Sequence, residues 1–440
     1  MKFTKFGKAL LMSALSTGVI FSITSCVQSY SVGFLYVTGT VTATSTNNGI
    51  LSGFKIDHNT GKLTPIVGLP IASGGSNPIR AILLNGSRFL YVLNRGVNAS
   101  GGADCTTADP CHDSNITQFA VGGNGVLTAQ ETFYTQGINP MRITADTSGN
   151  YLFVLDHDSP SGAACALALG ASYTSCADVT VFQINQTTGR LQLVVNAQVT
   201  SAGGAALPYF PVPPDPIDFY LSSSFLLALS GTPATGDLVF PYTYNPNNGQ
   251  LTLSQNSTQP ISAKEATAMD YGAGYLYILD NEPISANGQV VSQSQILPFT
   301  VGSNGSLQAQ VGGAVPDDPT QANPSQMIVE TKGKWAYVAN QGNNNTTTGQ
   351  AESGITGYVI DPATHVLTEL PGLPFGTGSG PQCIVEDPSN QFIYTANYND
   401  STVTGQSIDV NSGVLRPLAK TSSFALTGPP TWCLVDGRTD

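Results

Sequence analysis

Four short runs of apolar residues alternate with polar turns between residues 323 and 370. The second run, Trp335–Asn340, and the third, residues 355–360, are rich in β-branched and aromatic side chains. The connections at residues 332–334 and 361–364 carry lysine, glycine, aspartate and proline. Short apolar runs of this composition, bounded by turn residues, are typical of β-strands. The stretch therefore predicts one four-stranded antiparallel sheet.

The same pattern recurs along the chain, and its second run is the clearest marker of each copy. Seven copies of that run are present: residues 34–39 and 151–156, Phe89–Asn94, Phe225–Ser230, Tyr275–Asp280, Trp335–Asn340 and Phe392–Asn397. A repeat of this kind predicts a closed array in which each copy forms one sheet. The predicted fold class is all-β, a seven-bladed β-propeller of four-stranded antiparallel blades.

The two ends of the chain complement each other in this pattern. The first copy lacks a run ahead of residues 34–39, whereas the chain ends with an isolated apolar run at Pro430–Asp436. We expect this C-terminal run to form the innermost strand of the first blade and to close the ring. Closure removes sheet edges that would otherwise pair with other chains. The predicted propeller domain spans residues 34–440.

The long connections fall on one side of the predicted ring. Connections between the first and second strands, and between the third and fourth, are short turns. The second-to-third connections and the links between blades are longer, as at residues 95–114, 157–178, 196–214 and 281–295. Loops on a rigid scaffold often carry function, although neutral insertions are also tolerated there. This long-loop face is the expected position of a binding site.

Composition narrows the classes of function. Charged residues make up 10% of the 440-residue chain, and the formal net charge is −12. We expect no nucleic-acid partner, because such proteins need clustered lysine and arginine. The sequence shows neither a phosphate-binding glycine loop between a strand and a helix nor a nucleophile elbow. Histidines and cysteines lack the spacing of a zinc finger, so neither a cofactor nor a metal is expected.

The first 26 residues have the features of an export signal. Lys2, Lys5 and Lys8 precede an apolar segment at residues 9–21, which is short for a membrane span. Residues 23–26 resemble the lipobox of bacterial lipoproteins, which implies cleavage before Cys26 and lipid on its thiol. We expect a signal peptide over 1–26, a tether over 27–33, and lipid anchoring in the cell envelope, on its periplasmic or outer-membrane face. An ordinary secretory signal is the alternative.

The other six cysteines suggest an oxidising compartment. Cys105 and Cys111 bracket one predicted loop, and Cys165 and Cys176 bracket another, so each pair is expected to form a disulfide. Cys383 and Cys433 lie on the first strands of adjacent blades. A bridge between them is possible, but buried free thiols are favoured, because a disulfide needs Cα atoms within about 7 Å.

The recurring second strand also carries a family resemblance. Tyr91-Val92-Leu93-Asn94 and Tyr337-Val338-Ala339-Asn340, with hairpins such as residues 60–64, resemble the YVTN repeat of the bacterial lactonase family. The resemblance covers roughly residues 34–440. It implies a seven-bladed propeller similar to 6-phosphogluconolactonases and to carboxymuconate cycloisomerases. It also implies an Arg-His pair on first strands, pointing to the mouth of the central channel.

Candidate site residues follow from the position two residues after the strand-opening proline. This position holds Arg80, Arg142, Asp218, Gln326, Cys383 and Trp432, and no histidine. Asp218 is the candidate base, with Arg80 and Arg142 as donors to a carboxylate, a phosphate or a developing oxyanion. A purely structural ion pair of arginine with Asp218 is the alternative. Further candidate ligand-binding residues are Gln326 and the Lys264-Glu265 pair, which replaces the opening Asn-Pro of the fifth copy.

A second cluster of charged residues is less informative. Asp156, His157 and Asp158, with Asp178, have side chains that could hold a cation. We expect instead a solvated loop in which Asp156 caps its own turn.

Three functions are compatible with these residues. The first is binding of a small anionic or sugar-like ligand, or of a protein partner, at the long-loop face of the channel. The second is hydrolysis of a sugar lactone, or a related cycloisomerase reaction. The third is a non-catalytic scaffold for assembly in the cell envelope.

Overall fold

A computed structural model describes residues 30–41, 48–84, 86, 88–102, 105–106, 108–201, 203–231, 236–254, 259–310, 312–343 and 352–437. The expected signal peptide, Cys26 and residues 27–29 lie outside these ranges. Within them, no helix has both the length and the apolar character needed to cross a membrane.

Seven small antiparallel sheets are arranged in a ring, which confirms the predicted seven-bladed β-propeller. In each blade the strands run in order from the channel to the outer edge. Blade 1 contains β36 (Pro430–Asp436), β1 (Ser31–Thr40), β2 (Asn48–Asp57), β3 (Leu63–Pro65) and β4 (Ile71–Ser76). Blade 2 contains β5 (Pro78–Leu83), β6 (Phe89–Asn94), β7 (Asn115–Val121) and β8 (Leu127–Phe133). Blade 3 contains β9 (Ile138–Ala145), β10 (Tyr151–Asp158), β11 (Ala177–Ile184), β12 (Leu191–Leu193) and β13 (Phe210–Val212).

The remaining four blades follow the same plan. Blade 4 contains β14 (Pro216–Leu221), β15 (Phe225–Ser230), β16 (Leu238–Asn245), β17 (Gln250–Leu253) and β18 (Gln259–Pro260). Blade 5 contains β19 (Ala266–Gly272), β20 (Tyr275–Asp280), β23 (Gln295–Val301), β24 (Leu307–Ala309) and β25 (Val315–Pro316). Blade 6 contains β26 (Pro324–Val329), β27 (Trp335–Asn340), β28 (Gly354–Ile360), β29 (Leu367–Glu369) and β30 (Phe375–Gly376). Blade 7 contains β31 (Pro381–Glu386), β32 (Phe392–Asn397), β33 (Thr402–Ile408), β34 (Leu415–Pro417) and β35 (Ser423–Ala425).

The ring closes as the sequence predicts. Strand β36 pairs antiparallel with β1, with Phe34 opposite Asp436 and Thr38 opposite Trp432. The C-terminal strand therefore supplies the innermost strand of the first blade. Strand β1 begins at Ser31, so residues 31–33 belong to this blade and not to the expected tether. The sheet starts earlier because Val32 already packs in the core.

The outer edge of most blades differs from the four-strand prediction. In every blade except blade 2, two short outer segments pair with the same third strand. In blade 1, β3 pairs with one end of β2 and β4 with the other. The links between blades therefore contribute ladder hydrogen bonds, which covers an edge that would otherwise be exposed. Two predicted loops also contain regular structure: helix α1 (Gly162–Leu169), and the hairpin β21 (Ile284–Ala286) and β22 (Gln289–Ser292).

In blades 1, 2, 6 and 7, the repeated tyrosine of the second strand joins the blade to its neighbour. Tyr36 Oη donates to the Gly125 carbonyl at 2.8 Å, and Tyr337 Oη to the Gly413 carbonyl at 2.7 Å. Tyr394 Oη donates to the Gly61 carbonyl at 2.7 Å across the closure of the ring. Gly61, Gly125 and Gly413 lie in outer hairpin turns at positive φ, which favours glycine. The tyrosine and glycine positions of the repeat are therefore two halves of one contact between blades.

All six cysteines downstream of Cys26 are bridged. The predicted Cys105–Cys111 and Cys165–Cys176 disulfides are confirmed, with Cα atoms 5.2 and 5.6 Å apart. The expectation of free thiols at Cys383 and Cys433 is wrong, because the two form a third disulfide with Cα atoms 5.9 Å apart. Inner strands of adjacent blades approach closely near the propeller axis, which brings the pair within bonding reach.

Candidate functional site

The chain enters several inner strands through a residue with a left-handed backbone. Asn77, Asn139, Asp215 and Asn323 have φ between 50° and 57°. Asparagine and aspartate tolerate this conformation better than other residues with a side chain. The Asn323 side chain also donates to the Gly342 carbonyl at 2.7 Å, in the following loop of its own blade. These turns deliver the first residues of four inner strands, in blades 2, 3, 4 and 6, to the same end of the central channel.

At that end lies a cavity of about 410 Å³, which we call the mouth cavity. Side chains of Arg80, Arg95 and Arg142 contribute its charge, and Gln341, Gln382 and Trp432 are prominent among its other walls. Its volume falls in the range of small-molecule sites. Among the described residues that line it, every ionisable side chain is an arginine, although the chain as a whole carries a net charge of −12.

Arg142 is held by the predicted partner Asp218. Its Nε donates to Asp218 Oδ1 at 3.1 Å, and both side chains are largely buried. Asp218 also accepts hydrogen bonds from the backbone N–H groups of Phe219 at 2.9 Å and Met269 at 3.1 Å. Three donors therefore hold this carboxylate in one orientation. This arrangement suits Asp218 to orienting Arg142 and to linking blades 4 and 5.

Arg80 is positioned by an aromatic ring. Its guanidinium carbon lies 3.6 Å from the centre of the Trp432 ring, a cation–π contact between blades 2 and 1. Burial, and next the nearby Arg142, lower the pKa of Arg80 to about 9, against the opposing effect of Asp218 and Asp270. Arg80 therefore remains a cation at neutral pH. Because Trp432 closes the first blade, the C-terminal strand also builds the site.

Asp270 belongs to the same electrostatic cluster, and sequence reasoning missed it. It lies on β19 and is not among the residues that the structure places around the mouth cavity, and its Oδ2 accepts from the Met327 N–H at 2.9 Å. Burial, with a further contribution from Asp218, raises the pKa of Asp270 to about 7, although Met327, Arg80 and Arg142 act in the other direction. Blade 5 lacks the proline used to align the inner strands, so no sequence signal marked this position.

The other predicted ligand-binding residues lie elsewhere. Lys264 forms an exposed ion pair with Glu282, and the Glu265 N–H donates to Asp280 Oδ1 at 2.9 Å. Gln326 Oε1 accepts from the Ile384 N–H at 3.0 Å, which links blades 6 and 7. Among the residues that the structure places around the mouth cavity, none of these three contributes a wall.

The acidic cluster of blade 3 corrects another expectation. Asp156 and Asp178 lie directly opposite each other on β10 and β11 and are fully buried, so they do not form a solvated loop. Thr180 Oγ1 donates to Asp156 Oδ2 at 3.1 Å, but Asp156 Oδ1 and both oxygens of Asp178 have no hydrogen-bond donor. Burial raises the pKa of both carboxyls. In the described part of the chain, no three potential metal ligands come together.

At the equivalent positions of blades 2 and 5, a side-chain amide pairs with an acceptor. In blade 2, Asn94 Nδ2 donates to Asn115 Oδ1 at 2.9 Å. In blade 5, Gln295 Nε2 donates to Asp280 Oδ2 at 2.8 Å. Blade 3 replaces the amide with a second carboxyl group. One of its two carboxyls must therefore carry a proton for the pair to form a hydrogen bond.

Comparison with known proteins supports the fold. The family model described as lactonase, 7-bladed beta-propeller, matches residues 47–207 and 293–432. A putative 6-phosphogluconolactonase from Bacteroides fragilis is similar in structure, with a TM-score of 0.64 and 15% identity over 92% of this chain and 98% of that one. The periplasmic gluconolactonase PpgL of Pseudomonas aeruginosa is similar over the same shares, with a TM-score of 0.61 and 17% identity. No curated protein sequence gives a significant match.

Proposed function

The chain belongs to the seven-bladed β-propeller lactonase family, and on that premise we propose that it binds a small anionic, sugar-like molecule in the mouth cavity. The observation that carries this proposal is the wall of the cavity, where the ionisable side chains are Arg80, Arg95 and Arg142. Lysine and arginine together number only 16 in the whole chain, so three arginines at one cavity are a strong local concentration.

The chemistry of these side chains defines the ligand. Guanidinium groups match the planar geometry of carboxylates and can also bind phosphates through paired hydrogen bonds. Asp218 fixes the orientation of Arg142, and Trp432 fixes that of Arg80, so little side-chain freedom is lost on binding. The amides of Gln341 and Gln382 in the same wall offer both donors and acceptors to ligand hydroxyls.

The proposed setting is the cell envelope. Three disulfides in the propeller agree with an oxidising compartment. The N-terminal signal and its lipobox support export and attachment through lipid on Cys26. Palmitate labelling of the wild-type protein and of Cys26→Ala tests the anchor: label in both proteins, or in neither, contradicts it.

A thermal-shift screen tests ligand binding. Gluconate, 6-phosphogluconate, cis,cis-muconate and glucono-δ-lactone are the probes, since stabilisation follows RT ln(1 + [L]/Kd) and reaches about 2.7 kcal/mol at 100 Kd. We expect the anions to raise the Tm of the wild type. Arg142→Gln should need at least ten times more ligand to reach the same rise in Tm. Arg416→Gln, at an exposed outer-strand arginine, is the matched control and should respond like the wild type. No shift with any anion contradicts the proposal.

A second candidate function, lactone hydrolysis, is favoured by Asp270. A carboxylate whose pKa is about 7 has the right strength to accept a proton from water near neutral pH. Water would attack the lactone carbonyl and its proton would pass to Asp270. Asp270 would then return that proton to the ring oxygen as the C–O bond breaks, which gives the hydroxy acid and restores the carboxylate. Arg80 and Arg142 would stabilise the oxyanion. Asp218 already accepts from three donors, so it suits this role less well than the sequence suggested.

Two variants separate these roles. With 6-phosphogluconolactone as substrate, Asp270→Asn should lower kcat by about 10²–10⁴-fold. Asp218→Asn releases Arg142 and should mainly raise KM. Because the base must be ionised, wild-type kcat/KM should rise with pH through about 7 and then level off. A wild-type rate no faster than spontaneous hydrolysis rejects this second candidate and leaves anion binding to be judged by the thermal shifts.

A further inference from the structure

A second cavity of about 570 Å³ opens beside the mouth cavity, between the loops of blades 6 and 7. We call it the polar groove; Ser353, Ser379 and Tyr398 are part of its wall. Gln341 and Gln382 line both spaces, and Gln341 Nε2 donates to Gln382 Oε1 at 3.3 Å. These two amides thus mark the boundary, and a ligand longer than one ring could occupy both sides of it.

The groove differs from the mouth cavity in charge. Its walls are formed by amides, hydroxyls and glycine backbone, and Glu352 is the ionisable group apart from the Tyr398 phenol. None of the described residues in its wall is a lysine or an arginine. Amide and hydroxyl groups both donate and accept hydrogen bonds, as the hydroxyls of a neutral sugar do. An anion would find cations only on the mouth-cavity side of Gln341 and Gln382.

The groove is organised without a ligand. Ser353 Oγ donates to the Gln341 carbonyl at 2.6 Å and accepts from the Gly380 N–H at 2.9 Å. Asn399 Nδ2 donates to Ser379 Oγ at 3.1 Å. Gly380 has φ of 70°, and a Cβ there would approach Asn399 Nδ2 to 2.8 Å. Glycine at this position therefore allows the wall to form, and the fixed polar groups lower the entropy cost of binding.

An exposed aromatic ring completes the surface. Tyr398 follows directly after β32 and is 43% exposed, whereas the neighbouring Asn397 is fully buried. An aromatic ring half open to water presents an apolar face with a polar end. Such a face suits the C–H surface of a pyranose ring, while the surrounding amides suit its hydroxyls.

We propose that the polar groove is a second subsite, which binds an uncharged pyranose unit attached to the anionic group held in the mouth cavity. The inference rests on the proposed anion-binding function and extends it to a class of ligand. That class is an aldonic acid carrying a glycosidic sugar, rather than a free monosaccharide acid.

Isothermal titration of the full chain with three acids tests the inference. Gluconate represents the anionic end alone, whereas lactobionate and maltobionate carry one additional neutral hexose on the same acid. We expect at least one of the two disaccharide acids to bind about tenfold more tightly than gluconate, which corresponds to about 1.4 kcal/mol. Tyr398→Ala should remove that gain and leave gluconate affinity unchanged.

Tyr134→Ala is the matched control, because Tyr134 is 62% exposed directly after the outer strand β8 of blade 2 and does not line the groove. This variant should keep the full tenfold preference. If gluconate binds and neither disaccharide acid binds more tightly, the subsite is rejected while the anion site stands. If a disaccharide acid binds and Tyr398→Ala has no effect, the groove is also rejected. Binding by none of the three acids rejects both the anion site and the subsite.

Discussion

The paired carboxyls of blade 3 lead to a quantitative prediction about pH. Asp156 and Asp178 face each other with no exposure to water, and three of their four oxygens have no donor. The change that tests the pair is Asp178→Asn. It restores the amide-to-acceptor arrangement seen at Asn94 in blade 2 and Gln295 in blade 5. The side chain keeps its shape, so the effect reports on the proton.

The direction in which stability changes with pH follows from the direction of the pKa shift. Burial raises the pKa of both carboxyls, with the second charge opposing ionisation at Asp178. The folded state therefore holds its proton more tightly than the unfolded state. The resulting stability is fully present below the unfolded pKa and is lost as pH rises towards the folded pKa. Asp158 and Tyr209 lie close enough to act on Asp178, and the Thr180 hydroxyl donates to Asp156 Oδ2.

The size of the stability gain expected for Asp178→Asn follows from the carboxylate oxygens that have no hydrogen-bond donor. A buried polar group without a partner costs about 1–3 kcal/mol, and more when charged, so Asp178→Asn should stabilise the protein at pH 8 by about 2–3 kcal/mol. Unfolding entropy of about 2.1 cal/mol/K per residue over about 400 residues converts this to a rise in Tm of about 3 °C. At pH 4, where the wild-type pair already holds its proton, the difference should nearly vanish.

Differential scanning calorimetry from pH 4 to pH 9 measures this difference between the two proteins. Asp215→Asn is the control, since Asp215 is exposed and Asn77, Asn139 and Asn323 occupy the equivalent turn in other blades. Its Tm difference from wild type should not depend on pH. A gap between Asp178→Asn and wild type that stays constant with pH refutes the shared proton. A rise in wild-type Tm with calcium, absent in the variant, would show instead that a cation holds the pair.

Three further predictions concern the ring itself. Tyr337→Phe should lower the free energy of unfolding, measured by chemical denaturation, by about 1 kcal/mol, because it removes the hydrogen bond to the Gly413 carbonyl. Tyr277→Phe should lower it much less, because Tyr277 Oη has no partner, and equal losses would contradict the link between blades. Replacing both Cys383 and Cys433 with serine should lower the free energy of unfolding by about 4 kcal/mol, because that disulfide spans 50 residues. The same replacement at Cys105 and Cys111 should lower it by about 2 kcal/mol, so the Cys383/Cys433 variant should have the lower denaturation midpoint. Trp432→Leu should keep the fold but release Arg80, so anion affinity should fall while Tm changes by only a few degrees. Unchanged affinity would refute the role of the Trp432 side chain in positioning Arg80.

The propeller architecture was predictable from the sequence because each repeat is recognisable from its own residues. Each second strand, such as Trp335–Asn340, combines an apolar run with its own turn residues, so its pattern is visible without knowledge of its neighbours. The closing strand was also predictable, since Pro430–Asp436 lacked partners of its own and residues 34–39 lacked a preceding strand. The pairing of Arg142 with Asp218 was predictable in the same way, from the position that the two share after their prolines.

Features that depend on distance across the ring were not predictable. Cys383 and Cys433 are 50 residues apart, and only the convergence of inner strands brings their Cα atoms within 5.9 Å. Asp270 lacks a marker because blade 5 begins without the proline that aligned the other blades. The burial of Asp156 depends on β11, which begins at Ala177 and places Asp178 opposite Asp156. The sequence of residues 157–178 gives no sign that this strand begins there. Packing between segments, rather than local preference, decides each of these cases.

The order of synthesis gives the closing strand a further consequence. Residues of β1 leave the ribosome first, but their inner partner, β36, is made about 400 residues later. Blade 1 must therefore wait, with one edge unpaired, until β36 has been synthesised. A chain interrupted anywhere before Pro430 would lack both the partner of that edge and the ring that holds Arg80. Truncated products should consequently be recognisable to proteases by the unpaired edge of the first blade, which β36 covers in the complete ring.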